Sequence, residues 1–256
     1  MRDFLNQTGA VAQSELKKLL RDPTELLSRA VQPVLWLMIF GQVFSRVRGI
    51  PTGGISYLAF MTPGILAQSV LFSAIFYGIG VIWERDLGIV HKLLVTPAYR
   101  SALVLGKALS AGLRGVIQAV IIYLIAFGMH IDIQWKFQAV AGVLCAVVLG
   151  SAIFSTFSLL IACIVKTRER FMGIGQLLTM PLFFASNAIY PLELMPPWLK
   201  IAAIFNPLTY LVDALRGLMI EGGQSSYGLP PDLGVMLGTF VVFLLIAARL
   251  YPELAR

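Results

Sequence analysis

The residues able to do chemistry in this chain are few, and they do not converge. Its two histidines, His91 and His130, fall in different loops on opposite sides of long apolar runs. That separation leaves no metal cluster, because a zinc-type site gathers three or four ligands. The two cysteines, Cys145 and Cys163, stand 18 positions apart in one helical run. At the helical rise per residue they are ~27 Å apart, beyond the reach of a disulfide, and they read as small packing residues. No serine, histidine and acid form a nucleophilic set, and Gly106-Lys107 lacks the glycine spacing and following Ser or Thr of a phosphate-binding loop. Lys107 and Arg114 are the only charges well inside the apolar runs. Lys107 lies near one end of its run and is expected to snorkel. Arg114 lies deeper and is expected to pair with a carbonyl or line a polar cavity. No Asp or Glu falls inside the runs, which argues against a proton relay.

Two stretches carry more. Residues 83–100 read WERDLGIVHKLLVTPAYR and hold Glu84, Arg85, Asp86, His91, Lys92 and Arg100 between uncharged runs. Val90, Leu93 and Leu94 make an apolar strip, and Thr96-Pro97 ends the helix, since the residue before proline avoids the helical region. Such a helix is either a connector or a docking knob for a soluble partner. The second stretch, Asn187 to Gly223, is apolar but broken by Pro191, Pro196, Pro197 and Pro207. It is too apolar for a solvated loop and too broken for a span, so short helices dipping into the outer leaflet are expected. Tyr190 and Trp198 suit interface anchors, and Asp213 and Arg216, three apart, are expected to pair.

The elements around these stretches follow from composition. The chain is 58% hydrophobic and 13% charged, against about a quarter charged in soluble domains. It reads as an all-α, polytopic membrane protein. Six apolar runs approach the roughly 20 residues of a membrane helix: about Leu26–Phe44, Ile55–Ile82, Ala102–Phe127, Phe137–Val165, Phe171–Tyr190 and Leu233–Leu250. Pro63-Gly64 is expected to kink the second. Residues 1–25 form a separate N-terminal segment ahead of a membrane domain spanning 26–256. In that segment Leu5, Gly9, Ala12, Leu16 and Leu19 recur at helical spacing among Glu15, Lys17, Lys18 and Arg21, the pattern of an amphipathic helix on a membrane surface. Asp22-Pro23-Thr24-Glu25 reads as a helix start. Thirteen Lys and Arg fall on the side of both termini and the 83–100 stretch, against five on the other. The bias places both termini in the cytoplasm of a multi-pass cell-membrane protein. It also accounts for most of the net charge of +7 without a nucleic-acid partner.

The chain resembles the permease subunit of an ABC-2-type exporter, closest to the drug-resistance and nodulation-factor branch. The residues that carry this are Arg21-Asp22-Pro23 and then Glu84-Arg85-x-x-Gly88…Leu93-Leu94-x-Thr96-Pro97-x-x-Arg100. They continue with Tyr190-Pro191-Leu192-x-x-x-Pro196-x-Trp198-Leu199…Asn206-Pro207-Leu208-Thr209-Tyr210…Asp213-x-x-Arg216. His91 departs from the pattern where an acid is expected, and Asn187 where many relatives carry glycine. The resemblance implies that Glu84, Arg85, Gly88, Leu93, Leu94, Thr96, Pro97 and Arg100 form a coupling helix seated in a cytoplasmic ATPase. Two ATPase copies would carry the ATP and Mg, with no cofactor on this chain. A second permease copy, as homodimer or heterodimer, and membrane lipids are the other implied partners. Tyr190, Pro191, Trp198, Asn206, Pro207, Asp213 and Arg216 belong to the expected extracytoplasmic gate. Phe72, Phe76, Tyr77, Arg114, Phe154 and Phe157 are candidates for a substrate path, suited to an amphipathic lipid, glycolipid, lipid-linked oligosaccharide or drug. The competing readings are a membrane enzyme acting on lipid-linked substrates, which needs a polar catalytic set at the membrane face, and a secondary carrier, which the acid-free runs disfavour.

Overall fold

The computed structural model describes residues 2–21, 31–45, 54–95, 99–165, 167–223 and 225–255. Those residues contain ten α-helices and no strand. Helix α1 (Arg2–Arg21) precedes α2 (Val31–Phe44), whose centre from Trp36 to Gly41 is wound as a π-helix. Next come α3 (Tyr57–Asp86), the short α4 (Ile89–Val95), α5 (Arg100–Gly128) and α6 (Phe137–Ile164). Then follow α7 (Arg168–Phe184), a 3-10 turn at Leu192–Leu194, α8 (Pro197–Phe205) and α9 (Pro207–Met219). Helix α10 (Leu229–Leu250) runs on into a 3-10 turn at Tyr251–Ala255.

Four of these, α3, α5, α6 and α10 with its turn, are long and apolar enough to cross a membrane. Their starts are set by local chemistry. Ser56 caps α3 by accepting the Ala59 N–H, and Pro63 is accommodated inside that helix. Helix α3 lies at the centre, packed on α5, α6, α7 and α9. Its apolar residues join two clusters. One gathers Met61, Leu66, Leu71, Phe154, Phe183 and Leu211, and the other gathers Val81, Ile82, Leu103, Leu159, Phe171 and Tyr251.

One expectation changes here. The fifth span appears as a shorter helix, since α7 stops at Phe184 instead of reaching Tyr190. The described part of the first span, α2, covers Val31–Phe44. Beyond Phe184 the chain turns inward, because the Asn187 carbonyl accepts from Arg216 and the Ile189 carbonyl from the Tyr57 hydroxyl. The proposed cap at Asp22–Glu25 and the start of the first span lie outside the described residues. Helix α1 packs on α5, with Thr8 and Glu15 buried and Leu5 60% exposed.

Candidate functional site

The polar groups collect at two ends of the bundle. At the end carrying α1, α4 and the final turn, four charges are buried together. Glu84 on α3 and Lys107 on α5 pair at 2.5 Å, Glu15 on α1 lies 3.8 Å from Lys107, and Arg114 lies 4.0 Å from Glu15. All four are at most 8% exposed. Lys107 and Arg114 also flank the Tyr77 ring, at 5.8 and 4.8 Å from its centroid. A helix-to-helix arrangement explains the geometry. Glu84 and Tyr77 are seven residues apart on one face of α3, and so are Lys107 and Arg114 on α5. Lys107 therefore does not snorkel, and Arg114 has a carboxylate neighbour: the acids come from the end of α3 and from α1, just outside the apolar runs.

This cluster lines a cavity of about 740 Å³. Gln68, Ser69, Phe72, Ser73 and Phe76 of α3 form one wall, with Gln32 and Pro33 of α2 and Trp83, Leu87 and Ile89 toward the loop. Of the candidate path residues, Phe72, Phe76, Tyr77 and Arg114 line it. Phe154 instead sits in the apolar core, and Phe157 stacks on Phe243 at 5.5 Å. Helical spacing gave the same signal for all four phenylalanines, and the cavity separates them, since only Phe72 and Phe76 line it.

The α3–α4 corner holds the charges expected to dock a partner, and of these only Glu84 is buried. Glu84 belongs to the buried cluster. Arg85 donates to the Val165 carbonyl at 3.3 Å and to Asp86, while Arg168 donates to Asp86 at 2.8 Å and lies 3.7 Å over the Trp83 ring. These bonds tie the corner to the start of α7. Gly88 turns the chain into α4 with φ +71°, a region that favours glycine. The corner leaves Trp83, Asp86, Leu87, Ile89, His91, Lys92 and Val95 exposed, with Leu93 half-buried and Arg100 exposed at the start of α5. Leu94 lies on α4 with them, while Thr96 and Pro97 lie outside the described residues.

At the opposite end the prolines begin helices. Pro197 and Pro207 occupy the first turns of α8 and α9, where the missing N–H costs nothing. Asn206 caps α9 by accepting the Leu208 N–H and donates from Nδ2 to the Leu182 carbonyl at 2.6 Å, fastening the α8–α9 corner to α7. The Tyr190 hydroxyl donates to the Phe184 carbonyl, and Pro191 leads into the 3-10 turn. Asp213 and Arg216 are both buried but do not pair directly. Asn187 stands between them, donating from Nδ2 to Asp213 at 3.3 Å and accepting from Arg216 at 2.7 Å through its carbonyl. Arg216 also lies 4.0 Å over the Phe60 ring. Its burial lowers the guanidinium to about 10, against the pull of Asp213, so it keeps its charge at neutral pH. Asp213 further accepts from the Ser225 and Ser226 hydroxyls and the Tyr227 N–H, which straps the α9–α10 loop onto α9. The departure at Asn187 thus supplies the side chain that joins this network. Trp198, 69% exposed, shares an outward apolar surface of α8 with Ile201, Ile204 and Phe205.

The architecture is that of a helical membrane protein with a polar cavity at one end and a broken apolar cap at the other. The chain belongs to the ABC-2 type transporter family, whose pattern matches residues 6–220. It is 30% identical over 221 residues to the putative transport permease ycf38 of Cyanophora paradoxa, covering 84% of this chain and 74% of that one. It is 26% identical to the inner membrane transport permease YadH of Escherichia coli K12, covering 84% of each. To nodulation protein J of Rhizobium leguminosarum bv. trifolii it is 25% identical over 197 residues, 76% of this chain and 74% of that one. The family and the transport-permease character expected from the sequence motifs both hold.

Proposed function

We propose that this chain is the membrane subunit of an ATP-driven exporter that moves an amphipathic substrate out of the cytoplasm or its facing leaflet. Two copies of a separate cytoplasmic ATPase would bind ATP and Mg, and two permease copies would form the path. In this reading α2 and α7 join the four long helices as six spans. Helices α8 and α9 re-enter the outer leaflet as a gate, and the end carrying α1, α4 and the final turn faces the cytoplasm. The observation that carries it is the α3–α4 corner. Its charges fasten it to α6 and α7, while α4 turns Lys92 and Val95 outward at the cytoplasmic end. A lever needs a rigid root and a free docking face, and this corner has both.

The test is co-expression with a candidate partner ATPase of the ABC type. Val95, 87% exposed, is replaced by aspartate, which leaves the buried cluster untouched. The expected result is a normally folded permease that no longer retains the ATPase and does not export. Full retention of the ATPase with normal export would remove α4 as the docking element.

A further inference from the structure

Ser225 stands between two carboxylates, and the hydrogen count there does not close with both ionised. Its Oγ lies 2.9 Å from Asp213 Oδ2 and 2.7 Å from Asp232 Oδ2, and it accepts the Gly228 N–H at 2.7 Å. A hydroxyl has one hydrogen and two lone pairs. Gly228 takes one lone pair, so one hydrogen and one lone pair remain for the two acids. The acids are unequal claimants. Asp213 accepts from Asn187 Nδ2 and the Ser226 hydroxyl at Oδ1, and from the Tyr227 N–H at Oδ2. Those are the surroundings of an ionised carboxylate. Asp232, in the first turn of α10, is fully buried, and its Oδ1 has no hydrogen-bond partner. That turn cannot supply donors from Pro230 or Pro231, which lack an N–H. An ionised Asp232 would therefore be a buried charge with at most a share in one hydrogen, which is costly. A neutral Asp232 closes the count. Its Oδ2–H donates to the free lone pair of Ser225, and the Ser225 hydrogen goes to Asp213. The other charged or titratable groups around the pair are Arg216, Glu193, Tyr210 and Tyr227. Of the helices packed on α10, α6 has no charged residue, and α5 carries Arg100, Lys107 and Arg114 toward the other end and Tyr123 toward this one. Among the described residues no cation pairs with Asp232.

We infer that Asp232 is a proton-binding site at the end of the bundle opposite α4, and that the proton it holds fastens the α9–α10 loop between α9 and α10. Ser225 is half-buried and Tyr227 exposed, so the proton has a short way to water at that end. When the proton leaves to that water, two carboxylates contest one hydroxyl hydrogen and the loop loosens. The inference rests on the exporter reading only for what the site acts on, since α9 belongs to the gate proposed there. Its test needs neither ATPase nor transport, so either idea can fail alone.

The experiment uses the full chain in nanodiscs and two readouts. The first is infrared absorption at about pH 5, where an ordinary aspartate is mostly ionised. The unaltered chain is expected to show the carbonyl stretch of a neutral carboxylic acid, and Asp232→Asn to lose that component. The second is hydrogen exchange at the Tyr227 and Gly228 amides, which bond to Asp213 and Ser225. Exchange is followed from about pH 5 to about pH 9, below the ordinary tyrosine range, and corrected for its intrinsic rise with pH. Protection is expected to fall by about tenfold over that interval in the unaltered chain as a buried carboxylate loses its donor. It is expected to stay level in Asp232→Asn, whose amide donates to Ser225 at every pH. Sodium and potassium are replaced by choline in parallel. An acid band that does not depend on Asp232, or protection that falls equally in the variant, overturns the inference. Protection that follows sodium or potassium instead of pH also overturns it and makes the two acids a cation site. An Asp232→Asn chain that does not fold counts against it as well, because the amide supplies the hydrogen that the acid is inferred to carry.

Discussion

Single side chains at the two ends of the bundle make separable predictions. Glu84 pairs with Lys107 at 2.5 Å inside the protein, and removing one member of a buried pair leaves the other exposed to its desolvation cost. Glu84→Ala is therefore expected to destabilise the fold by about 3 kcal/mol, and the joint replacement Glu84→Leu with Lys107→Met to recover most of that. Thermal unfolding of the purified chain measures both, and equal losses for the single and joint variants would contradict the pairing. Ser225 poses a sharper question. Its one hydroxyl hydrogen faces two carboxylate oxygens, Asp213 Oδ2 at 2.9 Å and Asp232 Oδ2 at 2.7 Å, while its oxygen already accepts the Gly228 N–H. One hydrogen cannot serve both acids. An amide at 232 brings a donor of its own, so Asp232→Asn is expected to leave stability unchanged or raised. Asp213→Asn instead turns a donor either toward Asn187 Nδ2 and the Ser226 hydroxyl or toward the Tyr227 N–H and the Ser225 hydroxyl, and is expected to cost on the order of 3 kcal/mol. Matching melting points for the two variants would refute the asymmetry. Neither arrangement is legible in sequence. Asp213 and Arg216 are three apart, which suggests a direct pair, and only the fold reveals Asn187 between them.

At the scale of elements, α1 behaves as a packed part of the bundle. It crosses α5 at Gly106, where an added Cβ would lie 2.7 Å from Val11 Cβ and 2.9 Å from the Thr8 carbonyl oxygen. Gln7 also accepts the Tyr99 N–H at the start of α5. Gly106→Val is expected to push α1 away, cost about 1–3 kcal/mol as overpacking does, and open Glu15, Lys107 and Arg114 to water. Faster hydrogen exchange confined to α1 and the first turns of α5 checks this, and exchange unchanged there would mean that α1 does not depend on the close crossing. The long helices were readable because an apolar run of 18 to 29 residues has one solution in lipid. The four long helices fall where their runs predicted, although α3 outlasts its run by four residues to Asp86. Helix α1 was readable as a helix, but its inner face was not. Hydrophobic spacing picks out the Leu5 stripe, while the side chain that pairs with α5 is Glu15, whose partners lie some ninety positions away. Helix α7 was drawn too long for a related reason: Ala185, Ala188 and Ile189 are apolar enough to extend the run, yet their backbone is held in a turn by Tyr57 and Arg216 from other elements.

For the whole molecule, α1, α4, Arg168 and the final turn share one end, and the α8–α9 corner lies at the other. In the exporter reading, the charge bias of the loops would put the first end in the cytoplasm. In a background free of Cys145 and Cys163, a membrane-impermeant thiol reagent is expected to label a cysteine at 198 from outside intact cells and to spare one at 168. The reverse pattern would invert the molecule and with it the exporter reading. The same polarity governs the function of α8. Trp198, Ile201, Ile204 and Phe205 turn outward together, a surface that water would not tolerate alone. Beneath it, Asn206 bonds to α7, and Arg216 holds the Asn187 turn. An apolar outer face on a hydrogen-bonded base can bar water from an exit path and still move as a unit. Trp198→Asp places a charge on that face without touching the base or the α4 corner at the far end. The variant is expected to fold and retain its ATPase, yet lose export by about a hundredfold, ~2.7 kcal/mol on the rate-limiting barrier. Trp198→Phe, which keeps the face apolar, is expected to export within about threefold of the original. Normal export by the aspartate variant would show that the face is no gate, and loss of ATPase retention together with export would make α8 a strut for the fold instead.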